Sequence, residues 1–308
     1  MTPVSPRVPS VAVVIPYGGG LDDLREQLTA LAEQTWPHPY EVVISVNRGQ
    51  PTPVHNLARH ILPDHVTLTI ADSTRRPGPS HARNVGWRHT TADLILFCDT
   101  DDVVHPAWLT TMTHTLTEAR IASGTLEYRK LNPPWKADLF GTGAYSQPVR
   151  FHHLPFGPSC NLGLRRELLE RLGGFSEDLP CAEDTDLCWR AAYAGAPIAF
   201  APSAVVHYRL RSTSRALFGQ YFRYSRYDVR LYRAHRSHGA RVHGAEILRE
   251  LAVAGKALLN APRGRRHRAR CAISWGTVLG GLLGLLTQGP RARKRPAPSP
   301  TASPTGPV

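Results

Sequence analysis

The chain has 308 residues, 42% hydrophobic and 20% charged, which is enough apolar material to bury a core and excludes disorder throughout. Its net charge of +13 is unevenly distributed: residues 1–204 carry 17 basic and 21 acidic side chains, and residues 205–308 carry 20 basic and 3 acidic ones. A mildly acidic globular part is followed by a strongly basic end, and the two need separate explanations.

Residues 1–10 (MTPVSPRVPS) contain no apolar stretch of the kind a signal peptide needs and read as a flexible tail. The cysteines at 98, 160, 181, 188 and 271 form no CxxC pair and no even framework, so reduced thiols in a cytoplasmic setting are expected. From residue 11 the chain alternates VAVVI at 11–15, a helical spacing of Leu21, Leu24, Leu28 and Leu31, and VVISV at 42–46, the opening of a βαβ unit. A second helical face (Val54, Leu57, Ala58, Ile61) leads into VTLTI at 66–70 and then LILFC at 94–98. Runs that are apolar on both faces predict an α/β, Rossmann-like, mostly parallel sheet flanked by helices. Pro106 reads as the first residue of a helix whose buried stripe is Trp108, Leu109, Met112 and Leu116.

Residues 132–159 are rich in Pro, Gly and aromatics without a steady period, and read as a functional loop or lid. A helix is predicted from near Ala182 to Gly195, then a strand around 198–208. Residues 211–261 read as a helical region, 262–288 as a basic and apolar membrane-associating segment, and 289–308 as a disordered Pro- and Ser-rich tail.

Two acidic strings carry chemistry. Asp99, Asp101 and Asp102 follow LILFC directly, at the carboxyl edge of a strand where ligands of such sheets bind. Either a divalent cation, Mg²⁺ or Mn²⁺, relieves their repulsion and bridges them to a diphosphate, or they form a solvated turn capping the next helix. Glu183, Asp184 and Asp186 open the predicted helix at 182, where a carboxylate serves as a general base or simply favours the helix dipole.

Taken in order, VVIPYGGG, SVNRG, GPSHARNVG, FCDTDD, LGGF followed by ED, and VVHY resemble the family 2 inverting glycosyltransferases of the GT-A fold, over residues 11–210. The resemblance implies that Pro16 and Tyr17 hold the nucleotide base and ribose, and that Arg83 and Asn84 line the nucleotide pocket. Asn47 stands where the family usually has an Asp reading the base; because Asn donates as well as accepts, the expectation of uridine is weakened and thymidine or guanosine donors stay open. Asp99 and Asp101 match the DxD element, Asp99 against the ribose or metal and Asp101 on the cation, while Asp102 either joins them or caps the following helix. Asp184 matches the catalytic base, with Glu183 beside it in the acceptor site. His207 matches a histidine that completes the metal shell in several members, against the alternative of a structural residue. The implied reaction is a metal-dependent, inverting transfer from a nucleotide-diphosphate sugar to an acceptor hydroxyl, on a lipid-linked or cell-envelope glycan. Gln220 to Tyr224 resemble the QxxRW element of processive members with Tyr in place of Trp; with no flanking set of long membrane helices to form a polymer channel, single sugar transfer is expected.

In the basic end, arginines and tyrosines interleave between Arg209 and Arg241, a pattern that suits phosphates, anionic headgroups or a solvated helix, and nucleic acid is not expected as a partner. The uncharged stretch 271–287 lies between Arg263–Arg270 and Arg291–Arg295, which predicts peripheral or monotopic attachment to the inner face of the cell membrane, against a core-packing helix. Two other readings compete: a noncatalytic nucleotide- or polyanion-binding protein on the same fold, which would have no need of Asp184, and a nucleotidyltransferase, disfavoured by the acids in GGGLDDL.

Overall fold

The computed structural model describes residues 8–141 and 147–288. The expected tails at 1–7 and 289–308, with Arg291–Arg295, lie outside the described residues, as does part of the 132–159 segment.

Four strands build the amino-terminal half of one sheet: β1 (Val11–Tyr17), β2 (Tyr40–Val46), β3 (Val66–Asp72) and β4 (Leu94–Phe97), all parallel to their neighbours. Helices α1 (Leu21–Ala32), α2 (Pro51–Ile61) and α3 (Pro79–Arg88) connect them. Alternate residues of β1 explain why its run is apolar throughout: Val11, Val13 and Ile15 enter one core, and Ala12 and Val14 enter another on the opposite face. Gly86 lets α3 lie close to β1, since a Cβ there would meet the Val14 side chain at under 3.0 Å.

The second half of the sheet is mixed. Its strands are β5 (Val103–Val104), β6 (Ile121–Glu127), β7 (Leu162–Arg165) and β8 (Ala199–His207), giving the order β3-β2-β1-β4-β7-β6-β8-β5. β7 runs antiparallel to β4 and β6, β5 runs antiparallel to β8, and β6 pairs with β8 in parallel. Between them lie α4 (Trp108–Glu118), the short α5 (Pro134–Ala137), α6 (Arg166–Leu172) and α7 (Glu183–Tyr193). Trp108, Leu109, Met112 and Leu116 are buried as expected, but Pro106 precedes the helix by two residues in a turn closed by Trp108 N–H donating to the His105 carbonyl at 2.8 Å.

Three α-helices complete the described residues: α8 (Ser214–His235), α9 (Gly244–Asn260) and α10 (Arg265–Thr287). α10 packs along α8 through Gly276, Gly280 and Gly284, where a Cβ would come under 3.0 Å from the carbonyl oxygens of Phe218, Phe222 and Arg226 respectively. The two four-residue spacings match, so the helices run side by side in the same direction with their backbones nearly touching.

Candidate active site

The carboxyl ends of β1, β2 and β4, the start of α7 and one face of α8 enclose a cleft of about 870 Å³. Pro16, Tyr17, Asn47, Arg83, Asp99, Asp101, Glu183 and Asp184 all line it. Two expected residues, Asn84 and His207, do not.

Arg83 lies at the base of the cleft and joins the two acidic strings. Only 2% exposed, it donates through Nη2 to Asp99 Oδ1 at 2.6 Å and through Nη1 to Glu183 Oε1 at 2.9 Å, with the Phe175 ring 5.6 Å from its guanidinium carbon. Burial works against its charge, and the attraction of Asp99 and Glu183 outweighs it. Arg83 lines the cleft, and its side chain also ties the end of β4 to the start of α7.

The acids at 99–102 differ sharply in surroundings. Asp101 Oδ2 accepts from Arg211 Nη1 at 3.1 Å, and its carboxyl is pushed upward by burial and by Asp99, with Arg211 partly offsetting this. Asp102 is 1% exposed, and burial together with Asp99 and Asp101 raises its carboxyl well above the usual range. Its Oδ1 accepts from the Arg209 backbone N–H at 2.8 Å, while Oδ2 is buried without a partner. Asp102 therefore does not cap α4; it fastens the strand-end loop to residues beyond β8. Ligand atoms of Asp99, Asp102 and Cys160 lie within 4.8 Å of one another. The hard carboxylate oxygens, one of them orphaned, and the repulsion recorded in the raised acids fit a divalent cation such as Mg²⁺ or Mn²⁺.

Asp184 lines the same cleft. Its Oδ2 accepts from the Ser159 backbone N–H at 3.2 Å and its Oδ1 from the Thr185 N–H at 2.7 Å, which fixes the plane of the carboxylate. Ala182, at φ 63° just before the helix, is one of the few non-glycine residues with left-handed backbone and turns the chain so that α7 begins at the cleft wall. Glu183 is pushed up to about 7 by burial and by Asp184, against the pull of Arg83. Asp186, third acid of the string, points away into the protein, bound to Arg190 Nε at 2.8 Å and His235 Nε2 at 3.1 Å.

Two expectations, those for Asn84 and His207, are corrected, and Asn47 has a further task. Asn47 lines the cleft, but its amide is spent on the 73–78 loop: Nδ2 donates to the carbonyls of Ser73 at 2.5 Å and Arg76 at 2.8 Å, and Oδ1 accepts from Gly78 N–H at 2.8 Å. An Asp could not donate to those carbonyls, so the Asn closes this loop in a way that an Asp at the same position could not. Asn84 is buried away from the cleft, bridging Phe175 in both directions at 2.9 Å and donating to Glu177 Oε1 at 2.9 Å. His207 sits opposite Glu127 in the β6–β8 register and holds it through Nδ1 at 2.8 Å; no ligand atom of His207 joins the acidic group among the described residues. Burial lowers the pKa of this histidine more than the Glu127 bond raises it.

Sequence reasoning missed Arg211 and Ser159 as wall residues. The 132–159 segment does contribute Phe140, Arg150, Phe156, Pro158 and Ser159 to the wall, and α8 contributes Gln220, Tyr221, Arg223 and Tyr224. All five thiols are unpaired.

Residues 12–173 match the family model described as glycosyl transferase family 2. The chain is 30% identical over 234 residues to a pre-mycofactocin glycosyltransferase of Mycobacterium tuberculosis, with 70% of this chain and 47% of that protein covered, so it spans about half the length of that relative. It is 28% identical over 287 residues to the succinoglycan biosynthesis protein ExoM of Rhizobium meliloti, covering 85% of this chain and 90% of that one. Among solved structures, the mannosyltransferase PcManGT from Pyrobaculum calidifontis, in complex with GDP-Man and Mn²⁺, aligns with TM-score 0.63 and 19% identity over 91% of this chain and 88% of its own. That likeness establishes a shared architecture, the GT-A fold.

Proposed function

The chain belongs to glycosyl transferase family 2, and from that premise we propose that it moves one sugar from a nucleotide-diphosphate donor to an acceptor hydroxyl, with inversion at the anomeric carbon. The observation that carries this reading is the common cleft: Asp184, Asp99 and Asp101 line one cavity of about 870 Å³.

Pro16 and Tyr17, at the end of β1, bound the side of the cleft that takes the base and ribose. Asp99, Asp101 and the unpartnered Oδ2 of Asp102 would hold the divalent cation, whose contribution is positive charge against the diphosphate as it leaves. Arg211 adds a second positive charge on the same edge. Asp184 takes the acceptor proton: as the oxygen–carbon bond to the acceptor forms, the bond from the anomeric carbon to the diphosphate breaks on the opposite face. Glu183, locked to Arg83, holds the start of α7 in position beside it and borders the acceptor side of the cleft. We infer an acceptor on a lipid-linked or cell-envelope glycan, met at the inner face of the membrane, with one transfer per encounter.

A panel of nucleotide-diphosphate sugars scored by thermal stabilisation with and without Mn²⁺ tests the donor side, because selective binding raises the apparent stability of the folded state. The expected result is one donor class whose shift depends on the metal. Asp184→Asn should keep that shift while turnover falls about 10²- to 10⁴-fold; wild-type turnover in this variant would refute the role of Asp184.

A further inference from the structure

The helix α9 is a surface helix with its apolar stripe turned outward. Ile247, Leu248, Leu251, Leu258 and Leu259 are all exposed, Leu248 at 69% and Leu259 at 78%. On a helix of 3.6 residues per turn they fall within an arc of about 120°. Its one buried side chain, Ala254, lies outside that arc. The outer edge of α10 continues the apolar surface through Leu279, Leu282, Leu285 and Leu286, the last 84% exposed. Nine outward aliphatic side chains with exposed Arg263, Arg265, Arg266, Arg268 and Arg270 at one end are not the surface of a chain that meets only water.

We propose that α9 and the outer edge of α10 form a single docking face for an anionic bilayer, on which the chain lies in the plane of one leaflet without crossing it. The occupant is identified by charge and shape together. Residues 236–288 carry nine basic and two acidic side chains, and the arginines stand beside the leucines, where phosphate headgroups meet acyl chains.

Crossing is ruled out by what α10 packs against. By length and composition Arg265–Thr287 is able to span a membrane, but its glycine face is closed on α8 from Gly276 to Gly284. A spanning α10 would carry with it Arg223, Arg226 and Arg230 of α8, each costing about 2.5–3.5 kcal/mol at the centre of the hydrocarbon. The uncharged stretch 271–287 is also only about 25 Å long at 1.5 Å per residue, short of the roughly 30 Å core.

The face deepens the membrane reading given above and is independent of the chemistry in the cleft, so the two are separable by experiment. The full chain is floated with vesicles of phosphatidylcholine mixed with phosphatidylglycerol, and with phosphatidylcholine alone. The expected result is flotation with the mixed vesicles only, a loss of about 100-fold or more in vesicle affinity for the double variant Leu248→Ser with Leu259→Ser, and about fivefold for Arg266→Gln. Both leucines are exposed, so the melting temperature of the double variant should equal that of the parent. A tag placed after Val308 should be fully digested by protease added outside the vesicles. Asp184→Asn should float as the parent does; its loss of transfer with retained flotation, or the reverse in the leucine variant, tells failure of one idea from failure of the other. Equal flotation of parent and leucine variant, protection of the tag, or a parent dimer that the leucine substitutions convert to monomer without any vesicle binding would each overturn the proposal, the last by assigning the face to a second copy of the chain.

Discussion

Arg83 illustrates how a residue can be legible in type and hidden in role. Its place in GPSHARNVG marks it as a site residue, but nothing in a linear string says that its two nitrogens reach Asp99 and Glu183, sixteen and one hundred positions away. Because both acids are at least partly buried, removing the guanidinium leaves uncompensated charge. Arg83→Met is expected to cost about 3–5 kcal/mol in urea unfolding, and adding Glu183→Gln should restore part of it. Asp186 is the matching case for acid. Burial alone would raise its carboxyl, but Arg190 and His235 together hold it below the ordinary value. A lowered native pKa means that its stabilising contribution is complete above the unfolded value near 3.8 and is lost as pH falls through the lower native one. Asp186→Asn should therefore be less stable than the parent at neutral pH, and the gap should close in unfolding experiments below pH 3.8. Asn47, Asn84 and His207 show the limit of motif reading from the other side: the string supplies a polar residue, and only the packed neighbours decide whether that residue faces the ligand or the backbone.

Among elements, those whose burial is two-sided were readable. β1 and β4 are apolar almost without alternation because each feeds two cores, and the carboxyl edge where Asp99 and Asp101 sit follows from that. β5, two residues long, carries no period and is defined by pairing with Val206 and His207, which sequence alone does not disclose. The glycines of α10 have a partner that the uncharged run 271–287 does not disclose, α8 of the same chain. Gly280→Leu would force a side chain onto the Phe222 carbonyl. It should separate the two helices at a cost of about 1–3 kcal/mol, measured as earlier unfolding and faster proteolysis of the segment after residue 236.

At the level of the whole molecule, the division of charge at residue 204 does not divide the structure, since α8 lines the cleft and α10 packs on α8. α10 covers Phe218 and Phe222, which are only partly buried even with it present. Deleting residues 262–308 is therefore expected to lower the melting temperature and promote aggregation, scored by light scattering, where a detachable anchor would leave a more soluble enzyme. The same helix that receives those glycines presents Gln220 and Tyr224 to the cleft on its other side. A displacement of α8 would therefore move the glycine seam and the Gln220–Tyr224 edge of the cleft together, so donor affinity doubles as a gauge of how tightly the two helices are joined.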